Sequence, residues 1–160
     1  MKPTVVKEHA WLQQLVGTWT YETEVPSESG GEPHKMTGTE IIRAIGEIWI
    51  HFEGTGEMPD GDKATSIMSV GYDPDKKRFI GSWIGSMMTH MWVYNGELDA
   101  DRKALTLNTE GPNFMTGTGT ARYRDIITVI DKDNRTLTSQ IQGEDGAWSQ
   151  IMSMSYRRAK

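Results

Sequence analysis

The sequence has no cysteine, few basic residues and no long apolar run, and each absence excludes a class of protein. Without cysteine there is no disulfide, no thiolate nucleophile and no cysteine-ligated zinc or iron–sulfur site. The 17 Lys and Arg residues are outnumbered by 22 Asp and Glu, which gives a formal net charge of -5. Because this charge repels phosphate backbones and anionic lipids, we expect no nucleic-acid or membrane partner. No stretch approaches the ~18 apolar residues of a membrane-spanning helix.

The chain length and the N-terminal residues narrow the possibilities further. A chain of 160 residues predicts one domain over 1–160, too short for a two-domain dinucleotide enzyme. Lys7, Glu8 and His9 stand where a signal peptide would need an apolar core. We therefore expect a soluble, cytoplasmic protein.

The hydrophobic pattern predicts one short helix followed by many strands. The helix is expected over about 5–16, with Thr4 as its N-cap and Trp11, Leu12 and Leu15 on one face. After Gly17, β-rich runs alternate with Gly, Pro and Asp, which is typical of an all-β fold. The pattern predicts an antiparallel up-and-down β-barrel of about ten strands over about 17–157. We place the strands near 17–25, 35–45, 47–55, 64–73, 78–85, 88–98, 104–110, 117–130, 135–143 and 147–157.

Three Asp-x-Asp sequences, beginning at Asp73, Asp99 and Asp131, predict tight turns in which an Asp side chain bonds back to the turn backbone. They lack the Gly and the distal Glu of a calcium loop. In an up-and-down barrel they lie at one end with the short 45–47 connection, and we expect the helix to close that end. The opposite end then collects the connections 26–34, 55–63, 85–87 and 111–116. Their apolar residues, Met58, Met87, Phe114 and Met115, are typical of the lip of an apolar cavity.

Several phrases carry a resemblance to a known family. Gly17-Thr18-Trp19, directly after the helix, is similar to the first-strand motif of the calycin superfamily, which includes the lipocalins. The other phrases are Glu8-His9-Ala10-Trp11-Leu12, Glu57-Met58-Pro59, Gly71-Tyr72-Asp73-Pro74, Gly81-Ser82-Trp83-Ile84-Gly85-Ser86-Met87-Met88, Leu107-Asn108-Thr109-Glu110-Gly111-Pro112 and Tyr123-Arg124-Asp125. Together they resemble the DUF1579 family, bacterial proteins of unknown function for which a calycin-like barrel is implied. The resemblance implies a fold but no catalytic or ligand residues. Related nitrobindin-like barrels bind haem through a late histidine, whereas the last histidine here is His90, and we predict no cofactor.

The segment 78–98 is apolar on both faces of its predicted hairpin. Closing the hairpin at Ser86-Met87 pairs Trp83 with His90, Gly81 with Trp92 and Phe79 with Tyr94 on one face. The other face carries Ile80, Ile84, Met91 and Val93. One face lines the interior, and the other packs against the helix, the chain's own loops or a second subunit. We predict a homodimer through this hairpin.

The candidate ligand-binding residues lie near the predicted mouth. They are Trp83, Met88, His90, Trp92, Phe114, Met115 and Tyr123. His90 in an apolar pocket can bond a ligand or carry a proton; the alternative is a core histidine bonded to the backbone. Tyr123 is expected to point inward with Asp125 in phase, and Arg122 and Arg124 outward.

Four further positions are assigned to the interior or to structure. Met152, Met154 and Tyr156 alternate with serines and are expected on the inner face of the last strand. Trp19 is expected to pack against Leu12 and Leu15 at the closed end.

No enzyme signature is present. The chain lacks a Gly-x-Ser-x-Gly elbow before a helix, a Gly-rich phosphate loop and metal-binding histidines at helical spacing. We favour binding of a small, mostly apolar ligand inside the barrel. The alternatives are an enzyme that uses His90 or Asp125, and a filled barrel that acts as a dimeric interaction module.

Overall fold

The computed structural model describes residues 1–25, 30–58 and 60–160. The helix α1 spans Lys7–Gln13. Ten strands follow: β1 Gly17–Val25, β2 His34–Ile45, β3 Trp49–Glu57, β4 Lys63–Asp73, β5 Arg78–Gly85, β6 Trp92–Leu98, β7 Ala104–Pro112, β8 Thr120–Val129, β9 Asn134–Gln142 and β10 Trp148–Arg158. No helix among the described residues is long and apolar enough to cross a membrane.

The strands form a closed barrel in which each pairs antiparallel with its sequence neighbours and β1 pairs with β10. The period-2 alternation of the sequence produces this arrangement, because successive side chains in a strand point to opposite faces. On β3, for example, Ile50, Phe52 and Gly54 are buried, while Trp49, His51 and Glu53 between them are only half-buried. The predicted all-β, up-and-down barrel of about ten strands is confirmed.

The helix is shorter than predicted. It begins after Val6 rather than after Thr4, and it ends at Gln13 rather than near residue 16. Its start follows from His9, whose Nδ1 accepts the backbone N–H of Val6 at 3.0 Å and so supplies the N-terminal cap. After Gln13 the chain tightens, because the N–H groups of Leu15 and Val16 donate to carbonyl oxygens three residues back. The Nε2 of His9 also lies 2.9 Å from the carbonyl oxygen of Tyr72 on β4. A residue that sequence reasoning left unassigned thus caps the helix and anchors it to the barrel.

The predicted packing of Trp19 at the closed end is confirmed. Trp19 is 1% exposed, and its indole Nε1 donates to the carbonyl oxygen of Leu15 at 2.9 Å. Leu12 and Leu15 are buried beside it. Trp11, next to Leu12 in the helix, donates from Nε1 to the carbonyl oxygen of Arg102, in the β6–β7 connection, at 2.7 Å. The helix therefore lies across one end of the barrel and closes it.

The three Asp turns form at this closed end as predicted. Asp73 Oδ1 accepts the backbone N–H of Asp75 at 3.0 Å. Asp99 Oδ1 accepts that of Lys103 at 2.8 Å, and Asp131 Oδ1 accepts that of Asp133 at 2.8 Å. Each carboxylate satisfies turn N–H groups that would otherwise have no protein partner, which keeps these connections short.

The predicted pairing of β5 with β6 is wrong by two residues. Trp83 lies opposite Trp92 rather than His90, and Gly81 lies opposite Tyr94. The connection spans residues 86–91 instead of closing at Ser86-Met87. It is held by the side chain of Met88, whose Sδ accepts the indole N–H of Trp92 at 3.1 Å. Because the shift is an even number of residues, the face on which each side chain lies is as predicted.

Candidate functional site

The two halves of the barrel interior differ in how completely side chains fill them. Near the closed end the inward residues Trp19, Phe52 and Ile127 are at most 1% exposed. Near the open end the inward side chains of Trp92, Tyr123 and Ile141 are at most 8% exposed, whereas five others are half-buried, namely those of Met36, Ser66, Trp83, Ser139 and Met154. The half-buried inward residues on β2, β4, β5, β9 and β10 therefore border the accessible part of the open half. A cavity of about 360 Å³ at the closed end is lined by Leu15, Trp19, Val129 and Arg135, among others.

Most of the predicted ligand-binding residues come together around Trp92. Its ring centroid lies 4.6 Å from that of His90, 5.0 Å from that of Tyr123 and 6.3 Å from that of Phe114. Trp83 lies opposite Trp92 in the β5–β6 register. The structure thus gathers one aromatic cluster at the mouth of the barrel. Met88 contacts it through the bond to Trp92, and Met115 is 70% exposed.

His90 contacts the backbone of the neighbouring strand. Its Nε2 lies 3.2 Å from the carbonyl oxygen of Glu110, so the tautomer with hydrogen on Nε2 donates to it and leaves Nδ1 as an acceptor. The ring fits against Gly111, where an added Cβ would lie 2.9 Å from Nε2. This contact matches the alternative expectation in one respect, since the histidine is bonded to the backbone.

Tyr123 points inward, as predicted, and Arg122 beside it is exposed. The Tyr123 hydroxyl donates to the carbonyl oxygen of Pro112 at 2.5 Å and accepts the backbone N–H of Phe114 at 3.1 Å. These two bonds fix the start of the β7–β8 connection. Tyr123 therefore positions Phe114 at the mouth.

A polar cluster lies inside the barrel, and we call it the Asp125 site, made of Tyr94, Asp125 and Ser139. Tyr94 on β6 donates to Oδ2 of Asp125 at 2.5 Å, and Ser139 on β9 donates to Oδ1 at 2.5 Å. Burial raises the pKa of Asp125, and the two hydrogen bonds oppose that shift. Burial and the nearby carboxylate raise the pKa of Tyr94 well above its ordinary value. Tyr94 is buried, and Asp125 is half-buried on an inward position of β8.

A buried ion pair lies in the filled half. Arg135 on β9 is 2% exposed and donates from Nη2 to Oε1 of Glu40 on β2. Its guanidinium carbon also lies 3.8 Å from the ring centroid of Tyr156 and 4.7 Å from that of Trp19. Burial raises the pKa of Glu40, and the charge of Arg135 opposes that shift. Each of these two buried charges therefore has its counter-charge within the protein.

Sequence reasoning missed most of these polar groups, although the signal was present. Glu40 is in phase with the buried Ile42, and Arg135 is in phase with the buried Ile141. Two opposite charges on inward positions of a barrel predict an internal ion pair. For the last strand the expected inner face is correct at Tyr156, which is buried. Near the open end Met152 is 38% exposed, beside a register shift between Gln150 and Met152.

One surface cavity lies at the open end. It has a volume of about 450 Å³ between β2 and β3, and its lining includes His34, Met36, Gly56 and Met58. Met58, predicted at the lip, is thus part of the rim. Within the described residues no group of three histidine or carboxylate side chains could hold a metal ion.

A closed ten-strand antiparallel barrel with an N-terminal helix across one end defines this protein as a calycin-like barrel. The DUF1579 family model, described as a protein of unknown function, matches residues 4–158, and the chain belongs to this family. No match is found among curated proteins.

Two solved structures show the same fold at low sequence identity. The S-type phycobiliprotein lyase CPES from Guillardia theta has a TM-score of 0.60 and 13% identity, over 99% of this chain and 99% of that chain. Rv2717c from M. tuberculosis has a TM-score of 0.60 and 11% identity, over 98% of this chain and 100% of that chain. At these identities the likeness concerns the fold alone.

Proposed function

We propose that this protein binds a small, mostly apolar molecule in the open half of its barrel. The observation that carries the proposal is the group of half-buried inward side chains in the open half, on β2, β4, β5, β9 and β10, beside exposed apolar residues at the mouth. Barrels of this size hold one small ligand in the mouth when side chains do not fill it.

The residues at the mouth suit entry of an apolar molecule. Phe114 is 61% exposed and Met115 is 70% exposed, although both are large and apolar. Trp83 and Met88 are half-buried and pack against the core beneath them. We assign ligand contact to Trp83 and Met88, and the rim to Phe114 and Met115. We assign His90, Trp92 and Tyr123 to the support of this wall, since their rings pack against one another around Trp92.

The proposal is tested with N-phenyl-1-naphthylamine, a neutral apolar probe whose fluorescence rises when it leaves water. The matched variants are Ser66→Trp, which adds an indole to the inward face of β4, and Thr65→Trp, which adds it to the outward face one residue away. Saturable binding by the wild type and by Thr65→Trp, but not by Ser66→Trp, is the expected result. Circular dichroism and the melting temperature establish that both variants are folded.

Two outcomes would contradict the proposal. Absence of saturable probe binding to the wild type would show that the lumen admits no molecule of this size. Equal binding by the two folded variants would place the probe on the outer surface instead.

The homodimer and the cytoplasmic location stay predictions. The outer face of the β5–β6 hairpin supports the dimer, since Met91 is 55% exposed and Val93 is 64% exposed there. We favour binding over catalysis through His90, because its Nε2 is already bonded to the backbone of Glu110.

A further inference from the structure

The two carboxylates inside the barrel are compensated differently. Glu40 has Arg135 as its counter-charge. Asp125 belongs to none of the ion pairs among the described residues, and the arginines beside it on β8, at 122 and 124, lie on the outward positions. A carboxylate held away from bulk water without a counter-charge is costly, and a cation beside it removes much of that cost.

The hydrogen bonds of the Asp125 site leave acceptors free and occupy the donors. Tyr94 and Ser139 each direct their one hydroxyl hydrogen to Asp125. Each carboxylate oxygen accepts one bond and keeps further lone-pair capacity. The carboxylate oxygens of Asp125 can therefore accept further hydrogen bonds, and the site suits a ligand group that donates them.

Apolar side chains surround this polar group. On β8 Asp125 lies between the inward residues Tyr123 and Ile127, and Leu107 on β7 is its registered partner. On β10 the partner of Ser139 is Met152, and Met154 follows on the same face. A ligand that reaches Asp125 therefore needs an apolar body behind its polar end.

We infer that the ligand is an amphipathic cation, with a protonated amine or amidine that binds Asp125 and an apolar body that fills the open half of the lumen. This inference rests on the proposed function and adds the chemical class of the ligand. It assigns Asp125 as a binding residue, and Tyr94 and Ser139 as residues that hold its carboxylate in place.

The test uses three probes of similar size that differ in charge: 2-phenylethylamine, 2-phenylethanol and 3-phenylpropanoate. The affinity of each probe is measured by how much of it is needed to displace bound N-phenyl-1-naphthylamine from the full chain at neutral pH. A charge-assisted hydrogen bond predicts that the amine binds about tenfold more tightly than the alcohol, and the carboxylate more weakly than either. Asp125→Asn removes the charge with little change in shape and is expected to abolish this preference. Asp101→Asn removes an exposed carboxylate from a turn and is expected to preserve it.

The outcomes separate the two proposals. If the fluorescent probe binds in the lumen but the amine and the alcohol displace it equally, the ligand class is wrong and the binding function stands. If the fluorescent probe does not bind, both proposals fail. Should Asp125→Asn not fold, Ser139→Lys tests the same idea: its ammonium group beside the Asp125 carboxylate takes the place of the ligand's cation, so the amine preference is expected to disappear, and its persistence would overturn the inference.

Discussion

The hydroxyl of Tyr94 donates a 2.5 Å hydrogen bond to Oδ2 of Asp125 inside the barrel. The bond joins β6 to β8, which are not neighbours in the sheet, since β7 lies between them. It therefore links two next-but-one strands over the inner face of β7, and it fixes the carboxylate inside the barrel.

Removing this hydrogen bond is expected to destabilise the fold. Tyr94→Phe leaves a partly buried carboxylate with one donor fewer, and a bond to a charged group contributes about 1.5–3 kcal/mol. Urea denaturation followed by tryptophan fluorescence measures the loss. The control is Tyr72→Phe, because the Tyr72 hydroxyl has no hydrogen-bond partner among the described residues, and a change under about 0.5 kcal/mol is expected. Equal effects of the two substitutions would show that the bond does not contribute.

The raised pKa of Asp125 predicts how stability changes with pH. Because folding raises this pKa through burial, the folded state takes up a proton more readily than the unfolded state. The resulting stabilisation is fully present below the ordinary aspartate pKa and is lost as the pH rises through the folded-state pKa.

Comparison with Asp125→Asn isolates this effect. The free energy of unfolding of the wild type minus that of Asp125→Asn is expected to increase from about pH 7 to about pH 4. Asp101→Asn controls for the loss of one carboxylate elsewhere on the chain. A difference that decreases over the same range would mean that the hydrogen bonds from Tyr94 and Ser139 outweigh burial.

How far the sequence predicted this molecule depends on how local each feature is. The Asp turns and the alternation of apolar residues are properties of a few consecutive residues, so they predicted the barrel and its closed end. The β5–β6 register depended on how Met88 packs against Trp92, which no local pattern specifies. The predicted inward and outward faces of the two strands were nevertheless correct, because a shift of two residues leaves the side-chain direction unchanged.

The interior polar groups depended on closure of the whole barrel. Glu40 and Arg135 are 95 residues apart in the chain, and Tyr94 and Asp125 are 31 apart. Alternation places each of them on an inward face, but the sequence alone does not say which inward residues meet. Only the order and stagger of the strands bring these pairs together.

The internal ion pair predicts a non-additive response to mutation. Glu40→Met leaves the buried guanidinium of Arg135 without its counter-charge, which is expected to cost about 3–5 kcal/mol. The double variant Glu40→Met with Arg135→Met removes both charges and is expected to be more stable than the single variant. Urea denaturation of the two variants shows which of them has the larger free energy of unfolding.

An exposed ion pair provides the matched control. Arg43 Nη1 lies 3.5 Å from Glu53 Oε2 on the outer surface of β2 and β3. Glu53→Met is expected to cost less than about 1 kcal/mol, because solvent screens exposed pairs. A double variant less stable than Glu40→Met would mean that the stacking of Arg135 on Tyr156 and Trp19 matters more than the charge balance.

The outer face of β5 and β6 predicts a dimer that a single charge disrupts. Ile84, Met91 and Val93 share this face and are all exposed, and contiguous apolar surface on a soluble domain commonly marks an interface. Analytical ultracentrifugation of the wild type is expected to give twice the chain mass of 18.0 kDa.

Val93→Lys places an ammonium group in the centre of the face and is expected to give the chain mass instead. Ser153→Lys adds the same charge on an exposed outward position of β10, four strands away from β6, and is expected to remain dimeric. A wild type that sediments at the chain mass across the concentrations tested would contradict the homodimer and leave the binding site in the lumen unaffected, because that site is built from the opposite face of the same strands.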